Sequence, residues 1–251
     1  MSKIPPANIV ERQGSLEKLE LTVEGDVKIP ALLHLPAGTP RRAVLFVSSF
    51  GKSNDPDIAE LTRAGAIVLA VDPRGMGESY QPPTRTGYSQ AYQLAARAML
   101  LGRNLVEMQV ADLLAAARYL GSRPEAAGKP VALVAKGSTG PAGLMAAAVS
   151  ASFQEVVLER SILSYQSVVD EQVHQELERT VVPGILQYLD LPDVMQLVAP
   201  RRLTVVSPIR PNGTPLLEKE AKAQMGSIPP TERVTLRGEG WSLDRVLPDW
   251  F

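Results

Sequence analysis

The sequence predicts an α/β fold: a mostly parallel central sheet, helices on both faces, and a small helical insertion after the sixth strand. Three observations predict it. Residues 131–148 run from the apolar Val131-Ala-Leu-Val-Ala135 through a turn holding Gly137, Ser138 and Gly140 into the alanine-rich Leu144-Met-Ala-Ala-Ala148. A buried parallel strand hands over to a helix in this way at the carboxyl edge of such a sheet. Residues 42–49 and 66–72 are nearly continuous apolar runs, as in strands covered on both faces. Strand-like and helix-like stretches also alternate at the spacing of βα units.

Taken in order, residues 1–15 read as a polar lead-in. Residues 16–23 and 27–35, separated by Glu24-Gly25-Asp26, read as a hairpin with a glycine turn. After the strand at 42–49, residues 55–64 form a short helix with Asn54 or Asp55 as N-cap. The strand at 66–72 stops at Pro73, and residues 74–89, rich in Gly, Pro, Ser and Thr, form a loop. Residues 91–101 and 105–120 are helical with a weak point at Gly102; Val106, Val110, Leu113, Ala117 and Leu120 share one face. The strand and turn at 131–140 follow, then a strand at 155–158. Residues 162–199 are helical but broken at Pro183-Gly184 and Leu191-Pro192. A strand at 202–207, a helix at 216–224 and a last strand at 233–237 complete the chain.

Composition narrows the function. Of 251 residues, 21% are charged and 45% apolar, with a formal net charge of −1, so the chain has neither a nucleic-acid footprint nor a basic membrane-binding face. It holds no cysteine, which removes disulfides, thiolate metal sites and a cysteine nucleophile. The N-terminus lacks the apolar segment of a signal peptide, and no run approaches the roughly 20 apolar residues of a membrane span. The expected location is cytoplasmic, or that of a module within a larger exported protein. No His, Asp and Glu cluster has metal-ligand spacing, and no cofactor is expected.

Four stretches resemble the α/β-hydrolases, specifically the acetyl xylan esterase-like branch of bacterial carboxylic ester hydrolases. Asp72-Pro-Arg74-Gly75-Met-Gly77-Glu-Ser79 looks like that branch's D-x-R-G-x-G-x-S loop. Ala98-Met-Leu-Leu-Gly102-Arg103 with Ala111-Asp112-Leu-Leu-Ala-Ala-Ala-Arg-Tyr-Leu120 is similar to its helix before the central strand. The turn at 137–140 resembles its nucleophile elbow. Val182-Pro-Gly184-Ile-Leu, Leu189-Asp190-Leu-Pro192-Asp193 and Ala199-Pro200-Arg201 resemble its approach to the acid-bearing strand. The resemblance implies one α/β-hydrolase domain over 16–251, with 162–199 as a cap-like insertion, and ester hydrolysis by a Ser-His-Asp triad.

The sequence departs from that triad at each position. Laying Leu133-Val-Ala-Lys-Gly-Ser-Thr-Gly140 over L-V-G-H-S-M-G-G puts Gly137 at the nucleophile position. The acid position falls on Arg210, and Arg237-Gly-Glu-Gly-Trp241 replaces the Gly-His segment, which puts Trp241 near the missing base. A shift of one residue restores Ser138 as nucleophile, with Gly140 as its small partner and Thr139 beside it, but sets Lys136 where a small residue is required. Phe50 and Gly51 occupy the loop that would supply oxyanion donors.

Only two histidines exist, His34 and His174. His34 reads as a partly buried strand residue, and His174 as a surface residue of the insertion or a base lent by a cap. Asp72, Arg74 and Lys136 stand at the rim: Asp72 as a cap for the Arg74–Ser79 loop, Arg74 as partner of a carboxylate or clamp for an anion. Glu159 and Arg160 read as a buried ion pair. Gly51-Lys52-Ser53 ends like a P-loop, but Phe46 replaces its first glycine. The first expectation is therefore a hydrolase scaffold without a working triad, serving as a binding, structural or partner module, with a carbohydrate ester or a second hydrolase module as its partner. The alternatives are an esterase using Ser138 with His174 or Lys136 as base, and a small-anion binder at the Gly137–Gly143 turn helped by Lys136.

Overall fold

The computed structural model describes residues 3–53, 55–80, 82–84, 86–198, 201–226 and 234–246. Nine strands form one sheet: β1 (Ala7–Gln13), β2 (Leu16–Glu24), β3 (Val27–His34), β4 (Arg42–Ser48), β5 (Ala66–Val71), β6 (Val131–Lys136), β7 (Phe153–Glu159), β8 (Arg202–Val206) and β9 (Val234–Arg237). Their spatial order is β1-β2-β3-β5-β4-β6-β7-β8-β9. The first three are antiparallel, as is the β3–β5 pair, and every pair from β5 to β9 is parallel.

The apolar runs behave as parallel strands must. All six residues of β5 and six of the seven in β4 are buried, because helices cover both faces. On one face Leu45, Val47, Leu133, Ala135 and Leu158 join Val106, Leu113 and Leu120 of α3 (Leu105–Ser122), the alanines of α4 (Gly140–Val149), and α7 (Leu191–Val198). On the other, Val44, Phe46, Ala132, Val134 and Val157 meet Ile58 and Leu61 of α1 (Pro56–Arg63) and the short α9 (Leu243–Val246). The period-two alternation of strand side chains divides the core in this way.

Helix boundaries follow their caps. Asp55 caps α1, accepting from Asp57 N–H at 3.2 Å, and the alternative cap Asn54 lies outside the described residues. Ser89 caps α2 (Gln90–Leu100), and Asn104 caps α3 after Gly102 turns the chain at φ +69°. The insertion comprises α5 (Gln166–Asp170), α6 (Leu177–Thr180), one 3-10 turn (Ile185–Gln187) and α7; α8 (Glu218–Met225) precedes β9. Asp190 ties the insertion down, accepting from the Ser164 hydroxyl at 2.6 Å and Tyr165 N–H at 2.5 Å.

Two expectations change. The expected polar lead-in contains β1, and the insertion therefore follows the seventh strand instead of the sixth. Every residue of β1 is exposed, so it has no buried face to imprint an alternating pattern; it is held by backbone pairing with β2. The Ala199-Pro200 stretch and residue 233 lie outside the described residues. Among those described, no helix is long and apolar enough to cross a membrane.

Candidate functional site

A cleft of about 390 Å³ opens above the carboxyl edge of the sheet. Ser49 and Phe50 reach it from the end of β4, Gly137 and Ser138 from β6, Arg160 from β7, and Ile209 and Arg210 from β8. The insertion closes one side with Glu176, Arg179 and Thr180. Strand ends meeting beneath a cap are where α/β folds place ligands.

The turn after β6 is shaped by Gly137. Gly137 follows the strand directly at φ +68°, a left-handed conformation that side chains rarely adopt. A Cβ there would fall 2.1 Å from Ser49 Oγ and 3.2 Å from Ser49 Cβ. Ser138 lies one step further, inside the 3-10 turn Gly137–Thr139 that leads into α4. It is 8% exposed, and its hydroxyl sits 3.5 Å from Glu176 Oε2. Thr139 turns inward and donates to Lys136 C=O at 2.9 Å. Gly140 and Gly143 serve packing: Cβ atoms there would come 2.4 Å from Ser161 Cβ and 2.5 Å from Ala135 Cβ.

Lys136 does not stand on the rim or help that turn. It points to the α1 face, with its ammonium 2.5 Å from Asp57, 3.0 Å from Asp55 and 3.0 Å from Glu159. Burial opposes its charge, but the bond to Asp57 and the fields of Glu159, Asp57 and Asp55 outweigh it and hold its pKa well above that of an ordinary lysine. Burial pushes the Asp57 and Glu159 carboxyls up. Glu159 therefore pairs with Lys136 and not with Arg160, which is exposed on the cleft wall.

Asp72 and Arg74 are structural. Asp72 is 1% exposed, caps the following loop by accepting from Glu78 N–H at 2.8 Å, and pairs with Lys52 at 2.7 Å. Arg74 binds Asp112 at 2.8 Å and Glu24 at 2.7 Å, so it is the carboxylate partner and not an anion clamp. Gly51 packs near Asp72 at φ +85° and does not line the cleft, whereas Phe50 is 65% exposed there and its N–H donates to Ser48 Oγ at 3.2 Å.

Arg210, at the expected acid position, binds both oxygens of Glu220 at 2.7 Å. Trp241 lies outside the cleft lining under the Arg237 guanidinium, 4.8 Å from ring centre to cation, and its C=O accepts from Ser207 Oγ at 2.7 Å. Neither histidine lines the cleft. His174 has Nε2 2.7 Å from Val168 C=O. His34 is level with Val68, hence with Ala132 across β5 and β4. Five residues along β6 and three strand spacings separate it from Gly137, roughly 20 Å. Burial lowers its pKa.

Ser49, Glu176 and Arg179 carried no signal in the sequence. Glu176 and Arg179 belong to an insertion without hydrophobic periodicity, and Ser49 ends an apolar run. Among the described residues no group of three or more His, Asp or Glu is placed to hold a metal.

No protein-family model and no curated protein matches the chain in sequence. Solved structures match it in shape. Acetyl xylan esterase 1 from Thermoanaerobacterium sp. JW/SL YS485 superposes with a TM-score of 0.64 at 18% identity, over 98% of this chain and 87% of that one. The acetyl xylan esterase from Paenibacillus sp. R4 gives 0.66 at 15% identity, over 98% and 87%. The glucuronoyl esterase from Solibacter usitatus gives 0.60 at 15%, over 93% and 80%. The chain thus has the α/β-hydrolase fold in the form these esterases share.

Proposed function

We propose that this chain is a binding module on an esterase-type α/β-hydrolase scaffold, and that it does not run the acyl-transfer chemistry of that scaffold. The observation that carries the reading is the left-handed residue directly after β6, which is Gly137. A serine nucleophile also needs a proton acceptor within about 2.6–3.2 Å. His34 lies roughly 20 Å from Gly137 along the sheet, His174 is held against Val168 C=O, and Lys136 holds its proton among three carboxylates. At the acid position stands Arg210, bonded to Glu220, so no free carboxylate is there to orient a histidine or stabilise its imidazolium.

A second reading keeps the esterase, because Ser138 and Glu176 both line the cleft with their oxygens 3.5 Å apart. Purified protein assayed on a chromogenic acetyl ester and treated with a fluorophosphonate probe separates the two. The binding module predicts turnover at the buffer rate and no labelling. Turnover that disappears in Ser138→Ala, with labelling of that serine, would overturn it.

A further inference from the structure

The cleft carries positive charge that ester hydrolysis does not require. Three guanidinium groups, Arg160, Arg179 and Arg210, line it, with Glu176 the one carboxylate among the lining residues. Arg210 is matched by Glu220 at 2.7 Å and Arg179 by Glu176 at 3.1 Å. The buried Nε–H of Arg179 has no partner among the described residues. Arg160 has no side-chain partner among them either. Setting the two paired arginines against their two glutamates leaves one net positive charge, on Arg160.

The backbone presents this charge at a cost. Three non-glycine residues among those described adopt a left-handed conformation: Arg160 at φ 51°, Glu176 at φ 58° and Ser207 at φ 43°. Two of the three put charged side chains on the cleft. Such residues concentrate where a site over-determines its geometry. Arg160 is fixed there by its own N–H, which donates to Val206 C=O at 3.0 Å. Ser49 and Ser138 line the same cleft, and Phe50 and Ile209 add apolar surface to it.

We infer that the cleft binds a small organic monocarboxylate, whose carboxylate is taken by Arg160 and whose apolar body lies over Phe50 and Ile209. The planar guanidinium fork suits a carboxylate geometrically. A monoanion balances the single net charge. A neutral acetylated sugar would leave Arg160 unpaired, and a dianion would exceed the available charge. The inference rests on the non-catalytic reading, since it makes the acid the resident ligand and not the product of a reaction.

The test uses 3-phenylpropionate, its amide, its methyl ester and inorganic phosphate, with calorimetry and thermal melting of the purified chain. The acid is expected to raise the melting temperature in a saturable way, and the amide and phosphate are not. Arg160→Asn removes the charge while keeping a residue that tolerates the left-handed backbone, and should weaken the acid about tenfold. Arg160→Lys, which keeps charge but loses the fork, should fall between the two, so the inference stays testable if the asparagine variant folds poorly. Equal binding of acid and amide, tighter binding of phosphate, or undiminished affinity in both variants overturns it. Hydrolysis of the methyl ester that is lost in Ser138→Ala overturns the non-catalytic reading instead, whatever the arginine variants do.

Discussion

Returning a serine to the turn, Gly137→Ser, tests both the geometry and the chemistry. The new side chain meets two obstacles. The left-handed backbone at φ +68° costs a side chain about 1–2 kcal/mol. Its Cβ would fall 2.1 Å from Ser49 Oγ and 3.2 Å from Ser49 Cβ, an overpacking worth about 1–3 kcal/mol. The sum is about 2–5 kcal/mol. An unfolding entropy of about 2.1 cal/mol/K per residue over 251 residues converts this to a fall in Tm of about 4–10 °C. Adding Ser49→Ala removes the closer contact and leaves the strain, so the double variant should recover about 1–2 kcal/mol of the loss, a non-additivity expected of touching residues. Thermal melts of the parent, both single variants and the double variant close the cycle. The restored hydroxyl should still not hydrolyse a chromogenic acetyl ester, because no imidazole faces the cleft. A Gly137→Ser protein that melts with the parent, and gains nothing from Ser49→Ala, would refute the assignment of this turn.

Further outcomes follow from the rest of the molecule. Lys136→Met strands Asp55, Asp57 and Glu159 without their cation and should cost about 3–5 kcal/mol at neutral pH. Burial raises the folded-state pKa of Asp57 and Glu159 above the unfolded value; without the lysine this rise grows. Carboxyls raised in this way bind more protons folded than unfolded, so stability is recovered as pH falls through their folded values toward the unfolded ones. The gap in Tm between parent and Lys136→Met should thus narrow from pH 8 to pH 4.5, and a constant gap refutes the cause. Asp190→Ala removes the acceptor for Ser164 and for the N–H groups of Tyr165 and Leu191; a loss of about 2–3 kcal/mol should appear as faster amide exchange across residues 165–191. His174→Ala loses the contact to Val168 C=O and about 1 kcal/mol, read as a lower Tm, and an unchanged Tm refutes that contact's role.

The parallel half of the fold was legible because burial on both faces writes long apolar runs. Residues 42–49 and 66–72 became β4 and β5 within one residue at each end. β1 was not legible, since a fully exposed edge strand leaves no alternation to read. The turn at Gly137 was legible from its spacing after the strand. Lys136 was misread because its neighbours in space, Asp55 and Asp57, lie about 80 residues earlier and meet it only once β6 sits beside β4. The arginine lining was beyond reach for the same reason. Arg160, Arg179 and Arg210 come from two strand ends and an aperiodic insertion, and nothing local marks them as neighbours.

The acid position constrains the function more tightly than the nucleophile does. A serine can be put back at residue 137 by one substitution, but the turn after β8 would still carry Arg210, held by two bonds to Glu220 on α8. A histidine brought to the cleft would then meet a guanidinium already bonded to Glu220, with no free carboxylate on that turn to orient it. Replacing Arg210 alone would leave Glu220 without its bonded partner. On the non-catalytic reading, the residues at the nucleophile, acid and base positions would all have to change to give a Ser-His-Asp triad. The proposed acid ligand calls for no such change, because Arg160 already stands on the wall of the cleft. On the proposed reading it is this arginine, and not the paired Arg210, that favours an anionic ligand.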